Sequence, residues 1–569
     1  MLDTIRDAPL GQLIRLVTNN RVLLYPDEKP GFTLPKVAPE SPGEPEPDNS
    51  GRPNTDEEAA GRLSLERQVS RVFTPERLEL DQQLELEKTK SIPISLHKTA
   101  DGTVLVDWYT TDDPENPQNW SRGKKRFVLI QICLYSFAMY AGSSIYVVGE
   151  AGVMEEFGVS QAAAAMGLAI YVIGYGIGPL LFAPLSEIPA IGRNGVYTPT
   201  FVLFVILSIP TAVVKNYAGL LVLRFLQGLL SSPSLANGGA SVADMYNLLM
   251  LPLYLSAWTA ACFWGPALGP VIAGFAVSAK GWRWSLWELV WMSAPILVLY
   301  LIACPETSSS TILRRRAQRL RKTLRRNDLR SQSEIQQANM SVSSIFVDAV
   351  IKPVEIMIKD PAVLFTNVYT ALTYGIYYSF FEVFPLVYID IYGFNLGELG
   401  LTFLTIGIAC VIGVSVFTAY LMLYLVPDIR KRGLRAPEHR LVPALFAVCT
   451  LPMGYFMFGW TARASVHWIV SLIGVVILVF SNYIIFQCIF VYLPLSYAQY
   501  AASLFAGNDL IRAAFAAGCV IFSRPMFITL GVGGGVSLLA GLAVVGVFGM
   551  FALYFFGAKL RARSTFAVS

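Results

Sequence analysis

Charged residues are scarce in this chain. Of its 569 residues, 15% are Asp, Glu, Lys or Arg, whereas soluble globular proteins carry roughly 25%. Histidine is rarer still, and the three histidines (His97, His439 and His467) form no Ser/His/Asp order. The sequence also lacks a glycine-rich P-loop. These absences argue against an enzyme and against ATP as an energy source within the chain.

Metal-ligand spacing is also absent among the cysteines, so we predict no metal site, no cofactor and no disulfide framework. All seven fall within or at the edge of apolar runs, where cysteine serves as a small packing residue: Cys133, Cys262, Cys304, Cys410, Cys449, Cys488 and Cys519. The net charge of +4 comes from basic residues confined to a few loops. Nucleic-acid binding is therefore not expected.

Long apolar runs are what the chain has in abundance, since 54% of its residues are hydrophobic. Runs of about 20 apolar residues match the thickness of a bilayer core. The predicted spans are 127–148, 162–183, 196–214, 218–240, 251–277, 285–303, 363–386, 399–425, 441–460, 467–492, 497–522 and 533–556. They divide six and six around a hydrophilic loop. The predicted fold is an all-α membrane protein with twelve transmembrane helices in two six-helix bundles.

This pattern divides the chain into five regions. Residues 1–120 form a Pro- and Glu-rich tail, predicted to be largely disordered because it buries too little apolar surface. The bundles occupy 121–303 and 361–556, a linker occupies 304–360, and a short tail occupies 557–569. Lys and Arg concentrate in the tail-side loops, the linker and the C-terminal segment, which predicts that both termini are cytoplasmic.

The linker contains the sequence LRRRAQRLRKTLRR, a basic helix with one apolar face. Leu313, Ala317, Leu320 and Leu324 recur at helical spacing. Such a helix suits the surface of an anionic inner leaflet. A plain solvated basic linker is the alternative. Neither interpretation makes it a nucleic-acid site, because aromatic residues are not interleaved with the basic ones.

Arg224 is the first candidate functional residue, because it lies inside the fourth span, and Asp244 follows at the cytoplasmic end of that span. A cation within the membrane is costly unless carbonyls, a carboxylate or water surround it. Arg224 can influence the protonation of a nearby carboxyl group, which predicts a role for this pair in proton coupling. The alternative is a structural arginine that ties helix ends together.

The fifth span carries two Gly-Pro pairs. Small residues permit close helix packing, and each proline removes an amide donor and bends the helix. A bent, closely packed helix can seal one side of a central cavity, although a generic proline kink explains any single pair. The residues concerned are Gly265, Pro266, Gly269, Pro270 and Gly274.

Further candidates carry charge or aromatic surface. Glu187 and Arg193 bracket a short inner loop and are predicted to form a weak latch, worth about 0–1 kcal/mol. Glu382 in the seventh span is the best carboxyl candidate for contact with a proton or a cationic ligand. Asp509 and Arg512, one turn apart, are predicted to pair with each other. A last group is predicted to line an aromatic cavity for varied apolar ligands; simple packing is the alternative for each member. The group consists of Trp264, Tyr374, Tyr378, Asn482 and Gln487.

Five segments resemble a known family. They are DDPENPQNWS before span one, SEIPAIGRNGVY, LVLRFLQGLLSSPSLANGGASVADMY, the double Gly-Pro span and PETSSSTILRRRAQRLRK. NDLIR and GAKLRARS extend the likeness, which covers roughly residue 105 to the end. Together they resemble the fungal twelve-span drug:proton antiporters of the major facilitator superfamily, closest to the benomyl, methotrexate and fluconazole resistance transporters of yeasts.

The resemblance implies export of amphipathic drugs across the plasma membrane by a monomer, driven by protons, with Arg224 in the coupling. Two departures stand out. Asn194 occupies a position where many relatives carry a second basic residue, and Phe275 one where many exporters have glycine. Import of a nutrient or polyamine, or export of an endogenous secondary metabolite, are alternatives for the same fold. A membrane enzyme or a receptor would need a buried catalytic cluster or seven spans.

Overall fold

The structure is a computed structural model. It describes residues 2–32, 102–338, 355–433, 435–497 and 501–564, together with residues 34, 91, 93, 94, 96, 98, 99 and 351. The Pro-rich middle of the N-terminal tail lies outside the described residues. Within the described part, the chain is almost entirely helical, and its sheet consists of two parallel two-residue strands, Val104–Leu105 and Leu329–Arg330.

The first bundle contains six long helices, which we call spans one to six. Polar residues cap several of them: Ser121 accepts a bond from the Lys124 amide, and Asn216 accepts one from the Gly219 amide. A short helix, Glu150–Phe157, follows span one. In order, the spans are Arg122–Ser144, Gln161–Glu187, Gly192–Val213, Tyr217–Ala236 with its continuation Gly238–Met245, Leu251–Lys280 and Arg283–Ala303.

The second bundle begins with Pro361–Phe384, which continues as a π-helical segment, Pro385–Ile391. This is span seven. Span eight is assembled from Leu396–Thr402, Leu404–Tyr420, Leu421–Leu425 and Val426–Arg432. Spans nine and ten are Val442–Thr461 and Trp468–Ser496. The final helical run, Ala501–Arg561, breaks at Gly531, whose φ of 71° only glycine adopts easily. The two halves of that run are spans eleven and twelve.

Ten helices among the described residues are long and apolar enough to cross a bilayer by length and composition. One of them, Leu504–Arg561, holds both spans eleven and twelve on either side of Gly531. Pro361–Phe384, with 24 residues, is not among the ten. Counting it, and dividing the last run at Gly531, gives twelve.

Four helices make the most extensive contacts between the bundles. Span two packs along span eleven, and span five packs along span eight. Each pair joins one helix of the first bundle to one of the second. The plane between these pairs is where the predicted functional residues of both bundles can meet.

A unit outside the spans, which we call the tail–linker module, joins residues 2–32 and 102–119 to the linker helix Ser309–Leu324 and the strand Leu329–Arg330. The buried side chains of Leu313, Ala317 and Leu320 pack against tail residues that include Val104 and Trp108. The apolar face of the linker helix is therefore covered by protein. This corrects the interpretation of that face as a membrane-binding surface.

Ion pairs hold the module together. Arg316 donates to both carboxylate oxygens of Asp113, at 2.7 and 3.1 Å, and lies 3.2 Å from Glu115. Arg319 lies 3.2 Å from Asp27 and stacks over the Tyr25 ring at 3.6 Å. Burial alone would raise the pKa of Asp113, but the Arg316 guanidinium holds it below the ordinary carboxyl value. The two charged partners thus stabilise each other in a largely dry setting.

Candidate functional site

Arg224 is fully buried at the centre of the first bundle. Its guanidinium donates to the carbonyl oxygens of Gly142 at 2.8 Å, Gly167 at 3.1 Å and Ser143 at 3.3 Å. The rings of Tyr171 and Tyr146 lie 4.5 and 4.9 Å from it. Carbonyl dipoles and aromatic faces therefore compensate this charge. Its bonds tie span four to spans one and two.

Asp244 lies apart from Arg224, at the inner end of span four. It forms an ion pair with Arg193, with an Nε–Oδ2 distance of 3.2 Å. It also accepts a bond from the Thr307 hydroxyl at 3.3 Å. The predicted pairing of Arg193 with Glu187 is corrected accordingly, because Glu187 contributes only a longer-range attraction. Asp244 therefore pairs with Arg193, and no hydrogen bond or ion pair joins it to Arg224.

Glu306, which was not predicted from the sequence, completes the network around Arg193. Its two carboxylate oxygens accept bonds from the backbone amides of Arg193 and Asn194, each at 3.1 Å. The Asn194 side chain donates to the Cys304 carbonyl at 3.1 Å and accepts from the Tyr300 hydroxyl at 2.6 Å. Glu306 belongs to the PET sequence after span six, so that motif caps the amino end of span three. Asn194 binds span three to span six.

The glycines of span five permit close contact on two sides. A Cβ atom at Gly269 would lie 2.4 Å from Ser144 Oγ, and one at Gly265 would lie 2.7 Å from Tyr140 Cβ, both in span one. A Cβ atom at Gly274 would lie 2.5 Å from the Leu396 carbonyl oxygen, in span eight of the other bundle. Pro266 and Pro270 lie in the same buried stretch. The carboxyl-terminal half of this helix therefore packs closely against both span one and span eight.

Contacts between span five and the second bundle continue toward the amino-terminal end of span five. Trp264 packs against Gly407, and Cys410 Sγ lies 3.8 Å from the Ala260 carbonyl oxygen. Further in, the Ser256 and Tyr483 hydroxyls lie 2.6 Å apart. Together with the Gly274 contact, these distances describe a conformer in which the bundles touch on both sides of the centre of the interface.

Tyrosine hydroxyls meet between the bundles at that centre. Tyr175 of span two lies 2.7 Å from Tyr374 and 3.1 Å from Tyr378, both in span seven, measured between hydroxyl oxygens. The Ser143 hydroxyl lies 3.4 Å from that of Tyr378. The Tyr140 ring lies 6.1 Å from the Tyr175 ring. We call these five residues the tyrosine cluster; only Tyr374 and Tyr378 were expected from the sequence.

Asp509 and Arg512 border the tyrosine cluster. The two side chains form a direct ion pair, as predicted from their spacing. The Arg512 guanidinium lies 4.5 Å from the centre of the Tyr374 ring. Directly before Asp509, the Asn508 side-chain amide donates to Asn367 at 2.9 Å and to Thr370 at 2.6 Å. A buried charge pair thus stands beside the aromatic centre, closer to it than the sequence indicated.

Several buried polar atoms lack a partner within the described part of the chain. Glu382, with 1% exposure, has one free carboxylate oxygen, and so has Glu150, with 5% exposure. On span ten, both amide atoms of Asn482 and the Gln487 nitrogen are also free. Such atoms are costly unless a ligand, water or proton satisfies them. Glu150 was not predicted, because it follows the predicted end of span one and resembles a loop residue.

Two helical bundles that enclose an aromatic and ionic centre between them define a membrane transporter. The chain belongs to the Major Facilitator Superfamily, whose family model matches residues 132–508. Both the fold class and the family agree with the resemblance drawn from the sequence motifs.

Fungal relatives align over most of the chain. The MFS-type transporter pyvG of Aspergillus violaceofuscus is 46% identical over 82% of this chain and 86% of its own length. Fluconazole resistance protein 1 of Saccharomyces cerevisiae is 40% identical, over 81% and 84% respectively. Multidrug transporter FLR2 of Candida glabrata is also 40% identical, over 81% and 79%. These similarities place the chain among fungal transporters of the superfamily.

Solved structures agree on the fold. A crystal structure of the peptide transporter POT in complex with sulfate matches with a TM-score of 0.56 at 16% identity, covering 78% of this chain and 98% of that one. At this identity the match concerns the fold only.

Proposed function

We propose that this protein is a proton-coupled multidrug efflux antiporter, which exports amphipathic drugs by alternating access. The tyrosine cluster is the observation that carries the proposal. It brings aromatic rings and hydroxyls from both bundles into one buried centre, beside the Asp509–Arg512 pair. A flat aromatic drug can stack on such rings while its polar atoms bond to the hydroxyls. The names of the fungal relatives support this substrate class.

Drug entry requires the bundles to separate around this centre. The Tyr175–Tyr374 contact of 2.7 Å crosses the interface, so a ligand that binds there replaces it. The polar atoms of Asn482 and Gln487 that lack partners offer further bonds from span ten. Because the centre is built from halves that move apart, it can be presented to one side of the membrane at a time.

Proton coupling forms the second part of the proposal. Glu382 is a buried carboxyl group with a free oxygen on span seven, one helical turn beyond Tyr378. Arg224 fixes the carbonyls of Gly142 and Ser143 in span one, and the hydroxyl of Ser143 contacts Tyr378. Arg224 therefore acts on the coupling by positioning span one against span seven. The inner-face pair Arg193–Asp244 biases the conformers further.

The cellular location, orientation, oligomeric state and energy source follow from the same proposal. We place the protein in the plasma membrane, with both termini cytoplasmic, acting as a monomer and powered by the proton gradient without a bound cofactor. The clustering of Lys and Arg around the tail–linker module supports the cytoplasmic placement.

Transport by the full chain in reconstituted vesicles tests the function. With an imposed pH gradient, we expect flux of labelled fluconazole, benomyl or methotrexate, and no gradient-dependent flux of spermidine. Tyr374→Phe should weaken drug transport several-fold by removing one hydroxyl while keeping the ring. Tyr424→Phe, at an exposed position, is the matched control. Flux of spermidine alone would favour a polyamine carrier, and no gradient-dependent flux of any compound would refute the antiporter.

A further inference from the structure

The second helix of the N-terminal tail, Pro9–Val17, has two opposite faces, and we call it the tail helix. On one face, Gly11 and Arg15 are buried by neighbouring parts of the protein. On the other face, every large apolar side chain is exposed, by 36–75%. These side chains are Leu10, Leu13, Ile14, Leu16 and Val17. A contiguous apolar face of this kind, unlike single exposed side chains, indicates an interaction surface.

The buried face fixes the orientation of the tail helix within the tail–linker module. The Arg15 guanidinium forms an ion pair with Glu28, with an Nη2–Oε1 distance of 2.5 Å. The Gln12 side chain donates to the Tyr25 hydroxyl at 3.0 Å. The Tyr25 ring also carries the Arg319 guanidinium of the linker helix at 3.6 Å. The exposed apolar face therefore keeps one direction relative to the module.

The tail helix lies alongside the membrane spans. It packs directly against span six, and so does the preceding helix, Leu2–Asp7. The Asp7 carboxylate lies 4.0 Å from Lys124 Nζ in the first turn of span one. The end of span six is close to that turn, because Gln131 of span one donates to the Ala303 carbonyl at 3.0 Å. The tail helix is thus placed at the end of the bundle where span one begins and span six ends.

The apolar outer surface of the bundle reaches this same end. Phe127 and Ile130, near the start of span one, are exposed. Val298 and Ile302, near the end of span six, are exposed as well. On membrane-crossing helices, such side chains face the acyl chains of the bilayer. A lipid-facing surface therefore extends to the level at which the tail helix packs on span six.

An amphipathic helix at this level is accommodated when it lies in the plane of the interface, with its apolar face at the boundary of headgroups and acyl chains. We propose that the tail helix docks on the leaflet around the start of span one and the end of span six, with Leu13 and Leu16 among the lipids. Exposed basic residues beside it, Arg21 and Arg122, complement anionic headgroups. The tail, and not the linker helix, then supplies the membrane contact of the tail–linker module.

Photo-crosslinking of the full chain in lipid nanodiscs tests this placement. A diazirine-bearing amino acid in place of Leu13 should form adducts mainly with phospholipid, which mass spectrometry identifies. The same amino acid in place of Gln12, whose side chain is directed to Tyr25, should form adducts with the protein and is the matched control. Adducts of the Leu13 position with water or with protein alone, a second copy included, would overturn the proposal.

The lipid composition tests the part played by the basic residues. The yield of phospholipid adducts at the Leu13 position should rise when phosphatidylserine replaces part of the phosphatidylcholine in the nanodiscs, because Arg21 and Arg122 attract anionic headgroups. Equal yields in the two compositions would contradict this electrostatic contribution.

Hydrogen exchange in the same nanodiscs measures the contribution of the apolar face. The double variant Leu13→Gln, Leu16→Gln keeps a high helix propensity but removes two aliphatic side chains from the lipid. Amides of residues 9–17 should then exchange at least about tenfold faster, since burial of one such side chain is worth about that factor. Both side chains are exposed within the protein itself, so its fold does not depend on them. Exchange at the wild-type rate would show that this face lies in water and would refute the docking.

Discussion

Replacing Arg316 by methionine should open the tail–linker module. Arg316 is buried with Asp113, the side chains having 1% and 3% exposure, and Glu115 is close behind. Methionine fills similar space but leaves two buried acids without their cation. Breaking a buried pair in this way costs about 3–5 kcal/mol. Because each 1.4 kcal/mol is tenfold in a population, the open state should become about a hundredfold to several thousandfold more populated.

Hydrogen exchange of the full chain in detergent measures this change. Amides of the segment 102–119 and of the linker helix should exchange faster by that factor, up to the limit set by complete opening, while those of the spans should not. Adding Asp113→Asn to Arg316→Met should recover much of the protection, since the uncompensated charge is removed. Lys322→Met is the control, because Lys322 is exposed on the same helix. If Arg316→Met matches this control within about threefold, the electrostatic reasoning fails.

Three further results are expected. Gly228→Val should lower the free energy of unfolding by more than about 1–3 kcal/mol, because the added Cβ would lie 2.1 Å from the Tyr171 carbonyl oxygen. The yield of monodisperse protein measures this loss. Arg224→Lys should lower gradient-driven drug flux at least about tenfold at normal expression, since an ammonium cannot reproduce the planar fork to three carbonyls; unchanged flux would contradict the positioning role. Because the pKa of Asp113 is lowered, ionised Asp113 stabilises the module at neutral pH, and this stabilisation is lost as the pH falls below about 3.8 through the lowered pKa. Hydrogen exchange of the module, measured at decreasing pH, detects the loss.

Local composition was enough to predict the spans. Their apolar runs are long and their interruptions are few, and the bilayer permits little besides helices for such segments. Arg224 was identifiable for the same reason, since a lone cation in an apolar run stands out. The Asp509–Arg512 pair was predictable because its partners lie three residues apart on one helix.

Long-range pairings were not predictable in the same way. The partner of Arg193 is Asp244, 51 residues away, although Glu187 is nearer in the chain. Arg316 and Asp113 meet across 203 residues, and nothing local in either segment specifies the other. Glu150 was missed although it is buried, and its hydrogen-bond partner, Gln161, lies at the start of span two. Such contacts follow from the packing of whole helices, which sequence periodicity alone does not determine.

The pairing of Asp113 with Arg316 also bears on the order of synthesis. Asp113 leaves the ribosome 203 residues before its partner, and the first six spans are made in the interval. The ion pair can therefore form only after the first bundle has been inserted with both of its ends on the same side of the membrane. A first bundle with an odd number of inserted spans would leave these charges on opposite sides. Exposed, unpaired acidic and basic segments would then mark a misinserted chain before its second half is complete.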